Sequence, residues 1–347
     1  MPEEIPRWKQ RFADNREARS WNLTSLLLSL PLLLVGSYYY GANALRTAAV
    51  AALTGVLCEL VAARLILHKR TVDDWSAVVA GVWIACMLPA EVKSTFSAPV
   101  YAAVGAAFAV LVVKIPFGGM MHAPFTPAAA GFAFLTVCFP KTVFFYMPST
   151  AAPPPYSQSL AFMLQHGRSV VEGKQFSNIL LGQSTGPMGT GCILLIAAAL
   201  GAMLLLKKRR SAALSSLAFI GAVAALSFLF PRVVDPGTGE WLRIRLDSVV
   251  MELCSGSLLF AAVYLLPDPA IMPTRWFTRL GFGALAGAFC VLLRQLGSFE
   301  ETVCFAVLLA DGFMPALYRL QAEIHQQREF RERVEALEAG EKEARHA

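Results

Sequence analysis

The stretch Gly118-Gly119-Met120-Met121-His122-Ala123-Pro124-Phe125-Thr126-Pro127 lies between two apolar runs, each long enough to cross a lipid bilayer. Its glycines and prolines cannot continue either helix, because glycine favours irregular backbone and proline lacks an amide hydrogen. Irregular backbone at membrane depth persists only where protein or a cavity satisfies its polar groups. The segment 118–127 is therefore a candidate ligand or ion site.

The composition indicates an all-α polytopic membrane protein. Of 347 residues, 56% are hydrophobic and 16% are charged, and the mean hydropathy is +0.54. Such a chain is more apolar than an ordinary globular domain, and about ten apolar runs approach the length that a bilayer requires. The predicted spans are 22–39, 44–66, 74–90, 97–114, 126–146, 189–206, 212–230, 246–266, 276–294 and 299–318.

Basic residues predict the orientation of these spans. The first twenty residues are charged and lack the layout of a cleaved secretory signal. Lysines and arginines recur in alternate connections, which by the positive-inside rule predicts that both termini are cytoplasmic. The relevant connections contain His68-Lys69-Arg70, Lys114, Lys207-Lys208-Arg209-Arg210, and Arg275 with Arg279. Topology thus accounts for the formal net charge of +6, and we predict no nucleic-acid binding.

The seven cysteines do not predict a metal site. They are widely separated within apolar runs, and no C-x-x-C pair occurs. Zinc and iron–sulfur sites need clustered thiolates, so these cysteines are interpreted as small buried hydrophobic residues.

The chain divides into two halves around one long connection. We predict a basic N-terminal segment (1–21), a five-helix repeat (22–146), a long outer loop (147–188), a second five-helix repeat (189–318) and a charged cytoplasmic tail (319–347). In the first half, breaks follow Leu88, Phe117 and Phe139, and similar breaks follow Leu266, Leu296 and Met314. Because five spans per half is odd, the two repeats are predicted to have opposite orientations, which places a working site at interrupted helices.

Three motifs resemble markers of the D subunit of the Rnf-type electron-transport complex and of its relative, the B subunit of the sodium-translocating NADH:quinone reductase. Gly118 to Ala128 is similar to G-G-x-x-x-N-x-F-N-P-A, although Ala123 and Thr126 replace its asparagines. Leu181 to Cys192 is similar to L-G-N-x-x-G-x-x-G-E-T-S, with Thr190 in place of its acid. Pro267-Asp268-Pro269-Ala270 is similar to T-D-P-V.

The resemblance implies a membrane subunit of a translocase that is not catalytic alone. Such a complex passes electrons between ferredoxin and NAD and couples this to Na⁺ or H⁺ movement. The partners of this chain would be the other membrane and peripheral subunits, including iron–sulfur and flavin subunits. The chain itself would be surrounded by the lipid bilayer.

In that family this subunit carries FMN, joined through its phosphate to a threonine in an outer-loop motif like S/T-G-A-T-P. Aligning that motif with 149–153 places Ala152 at the acceptor position, where a phosphoester needs a hydroxyl. Three alternatives remain: Thr150 or Ser149 accepts the flavin in a shifted register, a flavin (FMN or riboflavin) is held without a covalent bond, or the subunit has lost it.

Further candidate residues follow from the same motifs. The remaining cofactor-binding candidates are Gly118, Gly119, His122, Pro124, Thr126 and Thr185. Their alternative interpretation is structural: glycines and prolines also end helices, and a lone histidine is commonly a satisfied polar residue.

Acidic residues inside spans are expensive to bury and are therefore candidates for an ion path. Asp268 is the strongest, since it lies between two prolines at a helix break, and Glu252 and Asp311 are weaker candidates that are also suited to contacts with partner subunits. Glu59 is expected to pair with Arg64. No catalytic residue is assigned.

Three functions are compatible with the sequence. The first is the Rnf-like subunit with a flavin, and the second is a structural scaffold subunit that has lost the covalent flavin. The third is a small-solute channel or transporter, which is suggested by the inverted repeat alone.

Overall fold

The fold comes from a computed structural model that describes residues 15–67, 74–91, 96–146, 159–167, 174–233, 241–273, 275–297, 299–324 and 326. Within these ranges the chain is helical and contains no β-strand, which confirms the all-α prediction. The first half contains α1 (Asn15–Tyr40), α2 (Ala42–Ala62), α3 (Ser76–Met87), α4 (Ala98–Phe108), α5 (Pro127–Cys138) and α6 (Pro140–Val143). The connection contains α7 (Leu160–Gln165) and α8 (Lys174–Leu181). The second half contains α9 (Ile193–Leu205), α10 (Arg210–Leu229), α11 (Trp241–Cys254), α12 (Leu258–Phe260), α13 (Trp276–Leu296), α14 (Val303–Gly312) and α15 (Met314–Ile324).

Three helices continue into π-helical segments. Ala63–Leu67 extends α2, Ala109–Lys114 extends α4, and Ala261–Leu265 extends α12. Each π-helical turn inserts an extra residue and changes the direction of the side chains that follow it, and such turns are frequent at functional sites.

The apolar helices match the ten predicted spans. Four are long enough to cross a bilayer alone: Glu17–Tyr40, Ala42–Leu65, Arg210–Leu229 and Trp276–Leu296. Two further spans are bent pairs, α11 with the helix Leu258–Leu265 (63°) and α14 with α15 (44°). The other four are shorter apolar helices: Ser76–Met87, Ala98–Lys114, Pro127–Cys138 and Ile193–Leu205. Helix α1 begins seven residues before the predicted span, because its polar first turns extend beyond the apolar run.

Corresponding helices pack in the same order in both halves, as the predicted repeat requires. Helix α2 packs on α3 and α4, and α10 packs on α11 and α13. Glycines allow the backbones to approach closely in both groups. A β-carbon at Gly81 would lie 2.6 Å from the Ala51 carbonyl oxygen, and one at Gly287 would lie 2.8 Å from that of Phe219.

Among the described helices, α3 lies in the interior of the molecule, whereas α2 lies at its periphery. Helix α3 buries eleven of its twelve residues. Helix α2 instead presents leucines such as Leu53, which is 63% exposed, as expected for a surface that faces lipid acyl chains. Tyr38, Trp241 and Trp276 are also exposed near helix ends, where amphipathic rings favour the membrane interface.

Candidate functional site

The segment 118–127 begins with two glycines that the backbone conformation requires. Gly118 and Gly119 have φ angles of +90° and +115°. A β-carbon on either residue would have no other atom within 4 Å, so there is room for a side chain. Glycine is therefore favoured here by the positive φ angles and not by lack of space. A 3₁₀ turn at Met120–His122 follows, and Pro127 then begins α5, where a missing amide hydrogen costs nothing. The irregular backbone predicted from the sequence is confirmed.

One of the predicted ion-path residues, Asp311, is bound where this segment ends, and a second, Asp268, lies near it. The backbone N–H of Thr126 donates to Asp311 Oδ2 at 2.8 Å, and Asp311 Oδ1 is buried without a hydrogen-bond partner among the described residues. Asp311 lies at the end of α14, beside the 44° bend. Asp268 follows the end of the π-helical segment that extends α12, and its charge acts on Asp311. We call Thr126, Asp268 and Asp311 the aspartate junction.

Burial gives the aspartate junction its chemical character. Asp268 and Asp311 are 6% and 2% exposed, and Asp268 Oδ1 accepts the N–H of Ala270 at 2.8 Å. Two neighbouring carboxylates in a dry site repel each other unless a proton or a cation lies between them. The junction can therefore bind and release a positive charge.

The remaining candidates in 118–127 lie away from this junction. Gly118, His122 and Pro124 are exposed, while Gly119 is buried and its N–H donates to the Lys114 carbonyl at 3.1 Å. These residues therefore shape the surface and the entry into α5 and do not line the aspartate junction.

The second motif forms a buried, irregular segment at the other end of the central helices. The N–H groups of Met188 and Gly189 donate to the carbonyls of Leu88 (3.0 Å) and Cys86 (2.9 Å), which satisfies the free end of α3. The Tyr40 hydroxyl donates to the Ser184 carbonyl at 3.2 Å. Thr185, a predicted cofactor residue, is 2% exposed within this segment.

Several buried polar atoms in this region have no hydrogen-bond partner among the described residues. They are Trp83 Nε1, Tyr146 OH, Thr190 Oγ1 and Thr302 Oγ1. Such atoms are uncommon in native proteins and commonly mark a position where a ligand or water binds. We call the meeting of α3, segment 182–192 and the start of α14 the loop junction, because Tyr146 and Ser159 flank the long-loop residues 147–158.

The loop junction also holds a carboxylate next to the long loop. The Ser159 hydroxyl donates to Glu300 Oε2 at 2.6 Å and accepts the N–H of Phe162 at 3.0 Å. The predicted flavin acceptors Ser149 and Thr150, with Ala152, lie outside the described residues. Tyr146 and Ser159, which flank residues 147–158 of the predicted long loop (147–188), thus lie at the loop junction.

Glu252 lies in a separate network that we call the arginine cluster. Arg294 Nη1 donates to Glu252 Oε2 at 2.6 Å, and Arg232 Nη1 donates to Glu252 Oε1 at 3.0 Å. Arg294 Nη2 also lies 3.6 Å from Glu301 Oε2, and Ser257 donates to Glu301. The described residues do not bring Glu252 to the aspartate junction; they pair it with two guanidinium groups.

Sequence reasoning missed two members of this cluster. Arg294 and Glu301 lie near the ends of predicted spans. Because burying a charge in a membrane is costly, a charged residue inside a span is itself an indication of a functional or paired group, and this criterion would have identified both. Glu301 lies within the predicted tenth span but is not among the ion-path candidates predicted from the sequence.

A third buried group corrects two expectations. Lys114 Nζ donates to Glu59 Oε1 and, at 3.1 Å, to Asp74 Oδ1. The expected pairing of Glu59 with Arg64 is wrong, because Lys114 reaches Glu59 from the end of the π-helical segment after α4. Lys114 is 1% exposed, so counting it as a residue of a cytoplasmic connection was also wrong. We call Glu59, Asp74 and Lys114 the lysine cluster.

An open cavity of about 820 Å³ lies among α4, α5, α13 and α14. Its lining is almost wholly apolar, with Phe108 stacked on Phe134 at one wall. Such a lining suits acyl chains, and Thr302 is its one side chain with a hydroxyl group among the described residues.

The fold and these buried charges together define a class, that of multi-pass helical membrane proteins whose interrupted spans carry ionisable side chains. The chain belongs to the NQR2, RnfD, RnfE family, whose model matches residues 9–326. The resemblance drawn from the three motifs is thereby confirmed.

Individual relatives agree with the family. The D subunit of the ion-translocating oxidoreductase complex of Klebsiella pneumoniae (strain 342) is 30% identical over 346 residues, covering 88% of this chain and 93% of that protein. The D subunits of the same complex in Salmonella paratyphi B and Salmonella typhimurium (strain LT2) are 27% identical over 347 residues, with the same coverage.

Proposed function

We propose that this chain is the D subunit of an Rnf-like, ion-translocating oxidoreductase complex of the bacterial inner membrane. The complex passes electrons between ferredoxin and NAD and moves Na⁺ or H⁺, and this chain is not catalytic alone. Membership of the family supports the proposal, as does the shared name of relatives that align over 93% of their length. Iron–sulfur and flavin subunits are the proposed partners, since no cysteine cluster occurs in the sequence.

The aspartate junction is the observation that carries the ion-translocating part of the proposal. It joins two buried carboxylates and a helix N-terminus at two interrupted spans. Interrupted helices at membrane depth are where transporters bind coupling ions. Asp268 and Asp311 bind the moving ion in this proposal, and the Thr126 N–H holds the Asp311 carboxylate in place.

The loop junction is the proposed site of a flavin. The residues present fit such a group, since the unpartnered Trp83, Tyr146 and Thr302 supply donors for the polar edge of an isoalloxazine ring. FMN would supply electron-transfer chemistry there, while Thr150 or Ser149 would hold its phosphate. The buried segment around Thr185 would exclude water from the ring.

The termini are proposed to be cytoplasmic. Lys114 no longer supports this orientation because it is buried, but Lys207 and Lys208 between α9 and α10 are exposed. The loop junction then lies at the outer face, and the aspartate junction lies toward the cytoplasm.

A scaffold without a covalent flavin is the second candidate, favoured by Ala152. Fluorescence of the purified complex on a denaturing gel separates the two. The flavin proposal expects an ultraviolet-excited band at this chain that survives the control Ser157→Ala and disappears in Ser149→Ala/Thr150→Ala.

A band that survives the double variant would remove both acceptors. If the native band is absent, acid extraction of the complex decides between the remaining alternatives. If the extract contains one equivalent of FMN or riboflavin more than the other subunits of the complex account for, this chain binds a flavin non-covalently. If it contains no such excess, the scaffold function is established.

A further inference from the structure

We propose that the lysine cluster is a proton relay, in which Lys114 carries a proton from Asp74, the most exposed of the three side chains, to the deeply buried Glu59. The biological role of the relay, which is to supply protons to the ion path, rests on the proposed function. The relay itself is a property of three side chains and can be tested on them directly.

The geometry places three titratable groups in one hydrogen-bonded line. Lys114 Nζ contacts both Glu59 Oε1 and Asp74 Oδ1, the latter at 3.1 Å. The side chains of Glu59 and Lys114 are 1% exposed, whereas that of Asp74 is 12% exposed. The line therefore runs from an edge that water reaches to a site that water does not reach.

Asp74 is fixed at the entrance of this line. Its Oδ1 accepts the N–H of Ser76 at 2.9 Å and the Ser76 hydroxyl at 2.8 Å, and its carbonyl accepts Asn22 Nδ2 at 2.6 Å. These bonds hold the carboxylate at the start of α3, facing Lys114.

The buried end of this line lies beside a small apolar group. The members of this group are Ala62, Ala77, Val110, Ile115 and Cys58. Within it, the thiol of Cys58 is the titratable side chain. Asn22 and Ser76 contribute uncharged groups from α1 and α3, and Arg64 on the extension of α2 is exposed. Burial disfavours charged groups in general, so desolvation does not oppose a proton transfer between a buried cation and a buried carboxylate that leaves both groups neutral.

The proton balance of one passage is simple. The Lys114 ammonium gives a proton to the Glu59 carboxylate, which leaves an amine and a carboxylic acid. Asp74 takes a proton from hydronium in the solvent and gives it to the amine, which restores the Lys114 ammonium, so one H⁺ has moved from the solvent through Asp74 to Glu59. No oxidant or reductant is required.

The arginine cluster provides an internal contrast. Glu252 is as deeply buried as Glu59 and is likewise paired with a cation, but its partners Arg232 and Arg294 retain their protons throughout the physiological range. Lysine releases its proton far more readily when buried. Among the described residues, the lysine cluster can thus relay protons, whereas the arginine cluster holds its protons.

The relay is continuous with the aspartate junction along the chain. The Lys114 carbonyl accepts the N–H of Gly119 at 3.1 Å, and Met120 Sδ lies 3.2 Å from Asn22 Nδ2. The same segment ends at Thr126, whose N–H holds Asp311. The segment 118–127 therefore links the lysine cluster at one end to the proposed ion site at the other.

Dicyclohexylcarbodiimide tests the proposal, since it adds across its C=N bond to protonated carboxyl groups and leaves an adduct of the whole reagent. The assembled complex is treated at a series of pH values, and peptides containing Glu59 and Glu252 are quantified by mass spectrometry. We expect labelling of Glu59 that falls about tenfold per pH unit once its protonated fraction declines, with Glu252 unlabelled.

The variant Lys114→Arg keeps the charge but cannot release its proton. We expect Glu59 labelling to fall at least about tenfold in this variant, while Glu252 and the assembly of the complex stay unchanged. Equal labelling of Glu59 and Glu252, or an absence of Glu59 labelling in the native complex, would overturn the relay. So would unchanged labelling in Lys114→Arg. None of these results depends on electron transfer, so a failed relay is distinguishable from a failed function.

Discussion

The arginine cluster predicts that Arg294 contributes far more to stability than Arg232, although both bind the same carboxylate. Arg294 donates to Glu252 Oε2 (2.6 Å), to Ser255 Oγ (2.6 Å) and to two backbone carbonyls (both 3.1 Å), and its side chain is 2% exposed. Arg232 makes one ion pair with Glu252 at 3.0 Å and is 15% exposed. Because the two arginines bind the same carboxylate, the difference between their contributions to the free energy of unfolding reflects their different burial and number of hydrogen-bond partners.

The expected magnitudes follow from what each substitution leaves behind. Arg294→Gln leaves Glu301 with only Ser257 as a described donor and Glu252 with only Arg232, and breaking a buried pair in this way costs about 3–5 kcal/mol. Arg232→Gln leaves Glu252 paired with Arg294, so its cost is about 1–2 kcal/mol.

The assay is reversible unfolding of the purified protein in mixed micelles with increasing dodecyl sulfate, followed by tryptophan fluorescence. A double-mutant cycle with Glu252→Gln and Arg294→Gln should give a coupling energy of about 2 kcal/mol or more, since the two groups are in contact. Equal costs for the two arginine variants, or a coupling energy near zero, would refute the reasoning.

Other predictions follow from the two junctions and from the glycines. Asp268→Asn and Asp311→Asn should each reduce ion transport coupled to electron transfer in vesicles while the amount of assembled complex is unchanged, since each removes a charge from the aspartate junction; full coupling in both would remove that site. Gly119→Ala should destabilise the protein by about 1–3 kcal/mol, because a φ of +115° is strained for a residue with a β-carbon. The matched variant Gly201→Ala, in helix α9 with open space around it, should instead be neutral or stabilising by up to about 1 kcal/mol in the same unfolding assay.

The helices were predictable because the bilayer imposes length and composition on each span. Helix α10 differs from its predicted bounds by two residues at its start and one at its end, and the break near Pro267 is where proline predicted it. The long-loop residues 174–181 form a helix that the sequence did not predict, because its eight residues are too few to show a clear period.

The charged networks were less predictable because they depend on contacts between distant parts of the chain. Glu59 and Lys114 are 55 residues apart, and Glu252 and Arg294 are 42 apart. Spacing along one helix suggested Arg64 as the partner of Glu59, but a buried carboxylate takes the cation that packing brings to it. Asp268 and Asp311 were identified correctly as buried acids, yet only the fold shows that Asp311 accepts the N–H of Thr126.

The two junctions must communicate if electron transfer drives ion movement, and helix α14 is the direct connection between them. It begins beside Thr302 at the loop junction and ends at Asp311, and its ten residues span about 15 Å. A unit charge acting on Asp311 over that distance is worth about 1 kcal/mol at an effective permittivity of about 20. That is less than a tenfold change in ion affinity and lies at the low end of known coupling energies. Charge alone is thus too weak for tight coupling, and the bend that follows α14 is a position where a change of helix angle could add to it. Phe125 lies against Gly312 at that bend, 3.9 Å from where a β-carbon would be. The segment 118–127 would therefore move with α14 and carry the change to the lysine cluster.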